Sequence, residues 1–332
     1  MAELHVARFR FALLRPMRFA GRVFEHREGF YVRVDGDGIG EVAPLPGVHR
    51  ETADECLALL RARGVEGLSA FPPALAFGLS CALAWNANDP VVRQPLRGTV
   101  GVNALFAGSL DDARRAVDEG RYEGFRTVKV KVSSAADADV VALLAERLPI
   151  TTRLRLDANR SLEFADAVTV LRAATPVRVE YIEEPLREPL RIPELHFATG
   201  HAIALDESLL ERDLRAALET APGVTTHILK PSLHGSIAAV RERAERTARQ
   251  LLRTTVSNAF ESGFTLRLLA RISTWLPNAH GDHGFGTGAF LRDDPTPAPE
   301  IRDGRIDVRE PLPDLAAFDG LRFVPIEAAL HA

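Results

Sequence analysis

Five ionisable residues, each closing a short β-rich run, constrain this chain more than any other feature: Lys131 in VKVKV, Asp157 in LRLDAN, Glu183 in YIEEP, Asp206 in ALDES and Lys230 in HILKP. Successive members are 26, 26, 23 and 24 residues apart. That interval is the length of one strand-plus-helix unit, and a parallel sheet built from such units brings the ends of all its strands to one face. A charge at the end of a buried strand costs several kcal/mol unless it is paired or bound to a metal. A recurring set of them therefore calls for one common physical cause.

From residue 99 onward, short runs rich in β-branched residues at 99–103, 126–132, 152–157, 178–183, 202–206, 226–230, 253–258 and 279–283 alternate with amphipathic stretches such as 110–119, 137–148, 164–173 and 237–251. Eight such units predict an α/β fold, a modified (β/α) TIM-type barrel over 98–295. Before it, strands at 4–12 and 30–35, the turn Asp35-Gly36-Asp37-Gly38 and helices at 52–63 and 73–85 describe an α+β capping domain over 1–97. The tail 296–332, rich in Pro and turn residues, is expected to join that domain. A length of 332 residues suits a barrel of about 250 residues with a smaller companion.

A net charge of −4, with 41 basic residues spread along the chain, offers no stripe for a phosphate backbone, so no nucleic-acid partner is expected. No run approaches the ~18 apolar residues of a membrane span and the N-terminus lacks a signal core, so no membrane association is expected. Cys56 and Cys81 each sit in an apolar helical stretch and read as buried thiols of a cytoplasmic protein.

Asp157, Glu183 and Asp206 on adjacent strands supply oxygen ligands for one hard cation, Mg²⁺ first and Mn²⁺ as a substitute, leaving room for a small-molecule carboxylate substrate. Lys131 and Lys230 fall on the second and sixth strands, opposite one another across an eight-stranded ring, with the substrate between them. Lys129 shares a strand face with Lys131 and is expected to help lower a lysine pKa toward that of a general base; alone it reads equally as a stem packed on the barrel wall. Arg155, two residues before Asp157 on the same face, and Asn159 are expected in supporting roles. Taken singly, each carboxylate reads as a helix cap or ion-pair member; taken in register they do not. Glu184 replaces Glu183 as the ligand if the strand register slips by one. His280 and His283, spaced i, i+3 in a Gly-rich stretch, and the GFGTG run read as loop and turn.

With these residues in place, the sequence resembles the muconate-lactonising branch of the enolase superfamily, and within it the o-succinylbenzoate synthases of menaquinone biosynthesis. The resemblance rests on GEVAPLPG (40–47) followed by Glu51-Thr52, AFGLSCALA (76–84), KVKV, LRLDANRSL, IEEP, ALDESL, LKPSLHGS (229–236) and FESGFTLRLLARI (260–272). It implies that Lys131 is the base of a KxK motif, that Asp157, Glu183 and Asp206 bind Mg²⁺, an arrangement general to the superfamily, and that Lys230 is the opposing lysine, in a cation–π role. The implied reaction is syn dehydration of 2-succinyl-6-hydroxy-2,4-cyclohexadiene-1-carboxylate to 2-succinylbenzoate through a metal-stabilised enediolate. The loop at 14–27 would close the site, with Arg27 as a substrate contact. The segment 257–263 departs from a serine-rich pattern, leaving Ser262 and Gly263, at a helix start, to receive the succinyl carboxylate. An N-succinylamino acid racemase or dipeptide epimerase needs the same constellation, with Lys230 as second acid/base. A non-catalytic metal- or ligand-binding barrel would have no use for the opposed lysines.

Overall fold

The TVKVK run of Thr127–Lys131 shows how the sequence builds its sheet. Val128 and Val130, with no exposed surface, face the surrounding helices, while Lys129 and Lys131 face the other way. In Arg153–Asp157, Leu154 and Leu156 do the same against the helices, each such burial contributing about 1.5–3 kcal/mol.

The computed structural model describes residues 2–19 and 22–329. Strands β1 (Leu4–Phe19), β2 (Arg22–Val34) and β3 (Gly38–Val42) form an antiparallel sheet. Strands β4 (Thr99–Val102), β5 (Ala104–Phe106), β6 (Thr127–Lys131), β7 (Arg153–Asp157), β8 (Val179–Glu183), β9 (Ile203–Leu205), β10 (Val224–Leu229), β11 (Arg253–Val256) and β12 (Asp282–His283) follow. The tail adds β13 (Arg305–Asp307) and β14 (Val324–Pro325). Seven strands, β5 to β11 in sequence order, make one parallel sheet. The first expected barrel strand is broken at Asn103, and its front half, β4, pairs parallel with β12 and antiparallel with β13 in a separate three-stranded sheet. Hydrogen bonds nevertheless run from Gly284 N to Val256 O (2.9 Å) and from Asn103 N to His283 O (3.0 Å), linking β12 to both sides.

The tail divides its pairing. β14 joins β1 in the N-terminal sheet, whereas β13 completes the small sheet beside β4. Where the described residues fall within the segment expected as a loop at 14–27, they belong instead to the paired strands β1 and β2; residues 20 and 21 lie outside the described residues.

Helix Ala53–Arg63 begins in a capping box, Thr52 accepting from Glu55 N and Glu55 returning to Thr52 N. Helix Pro73–Asn86 is apolar all round because it is covered on nearly every side, and it lies directly on β3. A Cβ at Gly40 would come within 1.8 Å of the Gly78 carbonyl oxygen, so the two backbones touch only because both positions are glycine. Phe9, Phe11, Tyr31 and Phe77 carry the core of the parallel sheet into the N-terminal module, while Leu57, Leu60, Leu75 and Leu79 form a second core within it. Cys56 and Cys81 are both buried free thiols. Among the described residues, no helix is long and apolar enough to cross a membrane.

Candidate active site

The lateral register of the parallel sheet sets the site. Lys131 lies opposite Asp157, and Asp157 opposite Glu183, so three ionisable groups end adjacent strands at one height. Asp206 directly follows β9 and Lys230 directly follows β10.

Lys129 Nζ bridges two carboxylates, at 2.7 Å from Asp157 Oδ2 and 2.8 Å from Glu183 Oε2. Lys131 Nζ donates to Asp157 Oδ2 and Asn159 Oδ1, both at 2.6 Å, and Lys230 Nζ donates to Asp206. The carboxylates are 1–2% exposed. Among the lysine side chains, Lys131 is 36% exposed against 14% for Lys129 and 13% for Lys230, so Lys131 is the one a bound molecule reaches most readily. Among the described residues no three carboxylate or imidazole groups gather at metal-binding separation. Each carboxylate is tied to an ammonium instead.

The electrostatics follow. Burial alone would raise Asp157, but Lys129 and Lys131 outweigh it and hold that carboxyl below the usual range. Asp206 goes the opposite way: burial, reinforced by Glu207 and Glu183, raises it well above the usual value despite Lys230. Burial would lower Lys129, yet Asp157 and Glu183 prevail and raise it well above its ordinary value. Lys129 is thus held as an ammonium, contrary to the lowering expected from a paired lysine.

Glu184 is not available as a ligand. Its Oε1 accepts from Asp206 N (2.8 Å) and Ser208 N (2.7 Å), and its Oε2 from Ser208 Oγ (2.8 Å) and Arg160 Nε (2.9 Å). It holds the backbone of Asp206 in place, a role that the expectation centred on Glu183 passed over. Asn159 is tied into the site, accepting from Lys131 and donating through Nδ2 to Glu207 Oε1 at 3.0 Å.

Three expected contacts lie elsewhere. Arg155 runs toward the N-terminal ends of the strands, where Nε donates to Glu180 (2.8 Å) and Nη1 to the Asp282 carbonyl (2.7 Å). Its guanidinium also covers the Tyr181 ring at 5.0 Å. Side-chain alternation gave the face but not the direction along the strand. Arg27 is 3% exposed and donates to the backbone carbonyls of Glu28, Ala43, Pro44, Ala259 and Phe260, stapling the N-terminal hairpin to the loop after β11. The amides of Ser262 and Gly263 are occupied by this chain's own carboxylates: Ser262 N donates to Glu41 (3.1 Å) and Gly263 N to Asp294 Oδ2 (2.6 Å). A Cβ at Gly263 would come within 1.9 Å of the Thr296 carbonyl oxygen, so the tail packs directly on the start of helix Gly263–Ser273.

Glu41, whose GEV setting was read only as part of a motif, is 5% exposed and pushed up to about 7 by burial, against the hydrogen bonds of Ser262 and Thr265 and with Glu261 adding to the rise. A carboxyl raised in the folded state binds a proton that the unfolded chain releases near 4.5. Its contribution to stability therefore falls as pH rises from about 4.5 to 7 and is flat above. Urea unfolding at pH 5 and pH 8 is expected to show that Glu41→Gln removes a pH-dependent loss on the order of 3 kcal/mol. An identical pH dependence in wild type and variant would contradict this.

Residues 110–313 match the family described as enolase C-terminal domain-like, and residues 1–86 match the MenC N-terminal domain. The o-succinylbenzoate synthase of Citrobacter koseri is 37% identical over 271 residues, covering 77% of this chain and 81% of the relative. That of Yersinia pseudotuberculosis is 34% identical over 284 residues, 80% of this chain and 85% of the relative. Among solved structures, a substrate-liganded complex of the L-Ala-D/L-Glu epimerase from Bacillus subtilis superposes with a TM-score of 0.78 at 17% identity, over 94% of this chain and 96% of that one. At that identity the likeness concerns the fold.

Proposed function

We propose, starting from the premise that this chain belongs to the o-succinylbenzoate synthase family of the enolase superfamily, that Lys131 is the general base of its reaction. The enzyme dehydrates 2-succinyl-6-hydroxy-2,4-cyclohexadiene-1-carboxylate to 2-succinylbenzoate, a step of menaquinone biosynthesis. The single observation that carries the residue assignment is the height-matched row Lys131–Asp157–Glu183, with Lys131 the most exposed lysine of the site.

By donor chemistry, though not by their present separation, the carboxylates suit a cation. Glu183 Oε1 is buried without a hydrogen-bond partner among the described residues, and the donor set is hard oxygen held beside Lys129, Lys131 and Lys230, which now supply the compensating positive charge. Asp157, Glu183 and Asp206 would hold Mg²⁺, or Mn²⁺ in its place. Bound there, the ion would supply fixed positive charge where negative charge develops on the substrate carboxylate.

The chain's own groups do the rest. As the general base, Lys131 takes the proton on the carbon beside the substrate carboxylate. It then gives that proton to the departing hydroxide, so water leaves, the ring becomes aromatic and the base is restored. Asn159, fixed by Glu207, orients the Lys131 amine. Lys230, held at Asp206, keeps a cation on the other side of the ring. The N-terminal module with the tail, 1–97 and 296–332, acts as the cap, and the parallel strands close into a ring through Asp282–His283, in a protein that works in the cytoplasm.

An assay with Mg²⁺ and the cyclohexadiene carboxylate, following 2-succinylbenzoate, tests the reading. Racemisation of an N-succinylamino acid without any dehydration would replace it with the epimerase alternative. Glu184, as a positioning residue for Asp206, gives a separate expectation. Glu184→Ala should weaken Mg²⁺ binding about 10- to 100-fold by calorimetric titration, with partial rescue in Glu184→Gln, which retains an acceptor for the two amides. Unchanged metal affinity in Glu184→Ala would remove that role.

A further inference from the structure

We infer that the N-terminal ends of the parallel strands form a second binding site, one that takes a small phosphorylated molecule. A cavity of about 390 Å³ opens there, on the side of the sheet opposite the site lysines, and its walls include Arg97, Arg126, Arg153, Arg155 and Arg305. That volume lies in the range of small-ligand pockets and exceeds what a bare inorganic ion fills.

The charge balance points to an anion. Only two carboxylates, Glu180 and Asp282, share the lining with the five guanidinium groups. Glu180 is already claimed by Arg155 at 2.8 Å and by Arg253 at 3.0 Å. Arg126 and Arg153 make no ion pair and no side-chain hydrogen bond among the described residues, although both border the cavity. On its floor stands Arg155, 2% exposed, with Nε and Nη1 committed to the protein and Nη2 without a partner among the described residues.

The donors also suit a phosphoryl group better than a single carboxylate. Guanidinium forks bind oxyanions in pairs, and several forks around one cavity match a dianion with three or four oxygens. The hydroxyls of Thr127 and Thr151 line the same wall and donate to nothing among the described residues. Five like charges around one cavity repel each other, and a bound dianion relieves that repulsion.

The site is separate from the reaction. β7 carries Arg155 toward this cavity and Asp157 toward the opposite mouth, so the two can be tested apart. Isothermal titration of the full-length, Mg²⁺-loaded protein with glycerol 3-phosphate, and in parallel with inorganic phosphate, reads the binding directly. The expected result is saturable binding that weakens at least about tenfold in Arg126→Ala/Arg153→Ala, with 2-succinylbenzoate formation unchanged in that variant and binding retained in Lys131→Ala. Tighter binding of the ester than of phosphate identifies a phosphorylated metabolite as the occupant, and equal binding identifies free phosphate. Absence of binding, a heat reproduced by KCl at matched ionic strength, full binding in Arg126→Ala/Arg153→Ala, or loss confined to Lys131→Ala would overturn the proposal.

Discussion

Lys131→Ala is expected to lower kcat for 2-succinylbenzoate formation by about 10²- to 10⁴-fold, with circular dichroism and Mg²⁺ binding close to wild type. The loss should be in kcat rather than KM, because the amine acts on the reacting carbon and does not anchor the ligand. Being more exposed than Lys129 and Lys230, Lys131 is also the lysine whose removal disturbs the buried charge balance least. Lys230→Arg sharpens the test. A guanidinium retains the cation but does not release a proton, so a dehydration that needs only Lys131 should keep measurable turnover, whereas a two-base racemisation should lose it. Turnover within a few-fold of wild type in Lys131→Ala would show that another group is the base.

Lys129→Met is expected to act chiefly on stability. Its ammonium is the group shared by Asp157 and Glu183, both 1% exposed, and its removal leaves two buried carboxylates with less positive charge between them. Breaking a buried pair from one side costs about 3–5 kcal/mol, and urea unfolding in EDTA should register a loss of that size. Added Mg²⁺ should return a good part of it, since the ion would restore charge at the same carboxylates. The pH dependence has a definite sign. Asp157 is depressed in the folded state, so its stabilising contribution is present above the unfolded value near 3.8 and is lost as pH falls through the folded one. Lys129 is raised, so its contribution is present below about 10.5 and lost at higher pH. In the variant the Asp157 carboxyl should rise and the acid limb of the stability profile should shift upward. An unfolding curve and acid limb unchanged by the substitution would mean that these contacts contribute nothing net.

The spacing of charged strand ends was readable because it reports on chain length per βα unit, and chain length is a property of sequence. Lys131, Asp157 and Glu183 do end β6, β7 and β8, and Asp206 and Lys230 stand one residue past β9 and β10. Local periodicity also found the helices Ala53–Arg63 and Pro73–Asn86. What escaped were contacts between residues remote in sequence. Glu41 occupies the Ser262 amide from 221 residues away, Asp294 takes that of Gly263, and Arg27 reaches the Ala259 and Phe260 carbonyls. No periodicity encodes which carboxylate fills a helix N-terminus when several are available. The period of two likewise assigns Arg155 to the face of Asp157 and is silent on which end of the sheet a long, flexible side chain will seek. The eighth expected run, 279–283, yields the shortest strand of the fold's parallel set, two residues long.

The lateral row Lys131–Asp157–Glu183 has a consequence for how relatives of this chain can diverge. Because the three groups meet only through the pairing of β6, β7 and β8, inserting or deleting one residue inside any of these strands moves its functional end to the wrong face, whatever the inserted residue is. Outward-facing positions such as Val128, Val130, Leu154 and Leu156 can exchange one apolar side chain for another with modest cost. Drift among descendants should accordingly be rich in apolar replacements along these strands and free of length changes within them, with gains and losses of residues confined to the connecting loops.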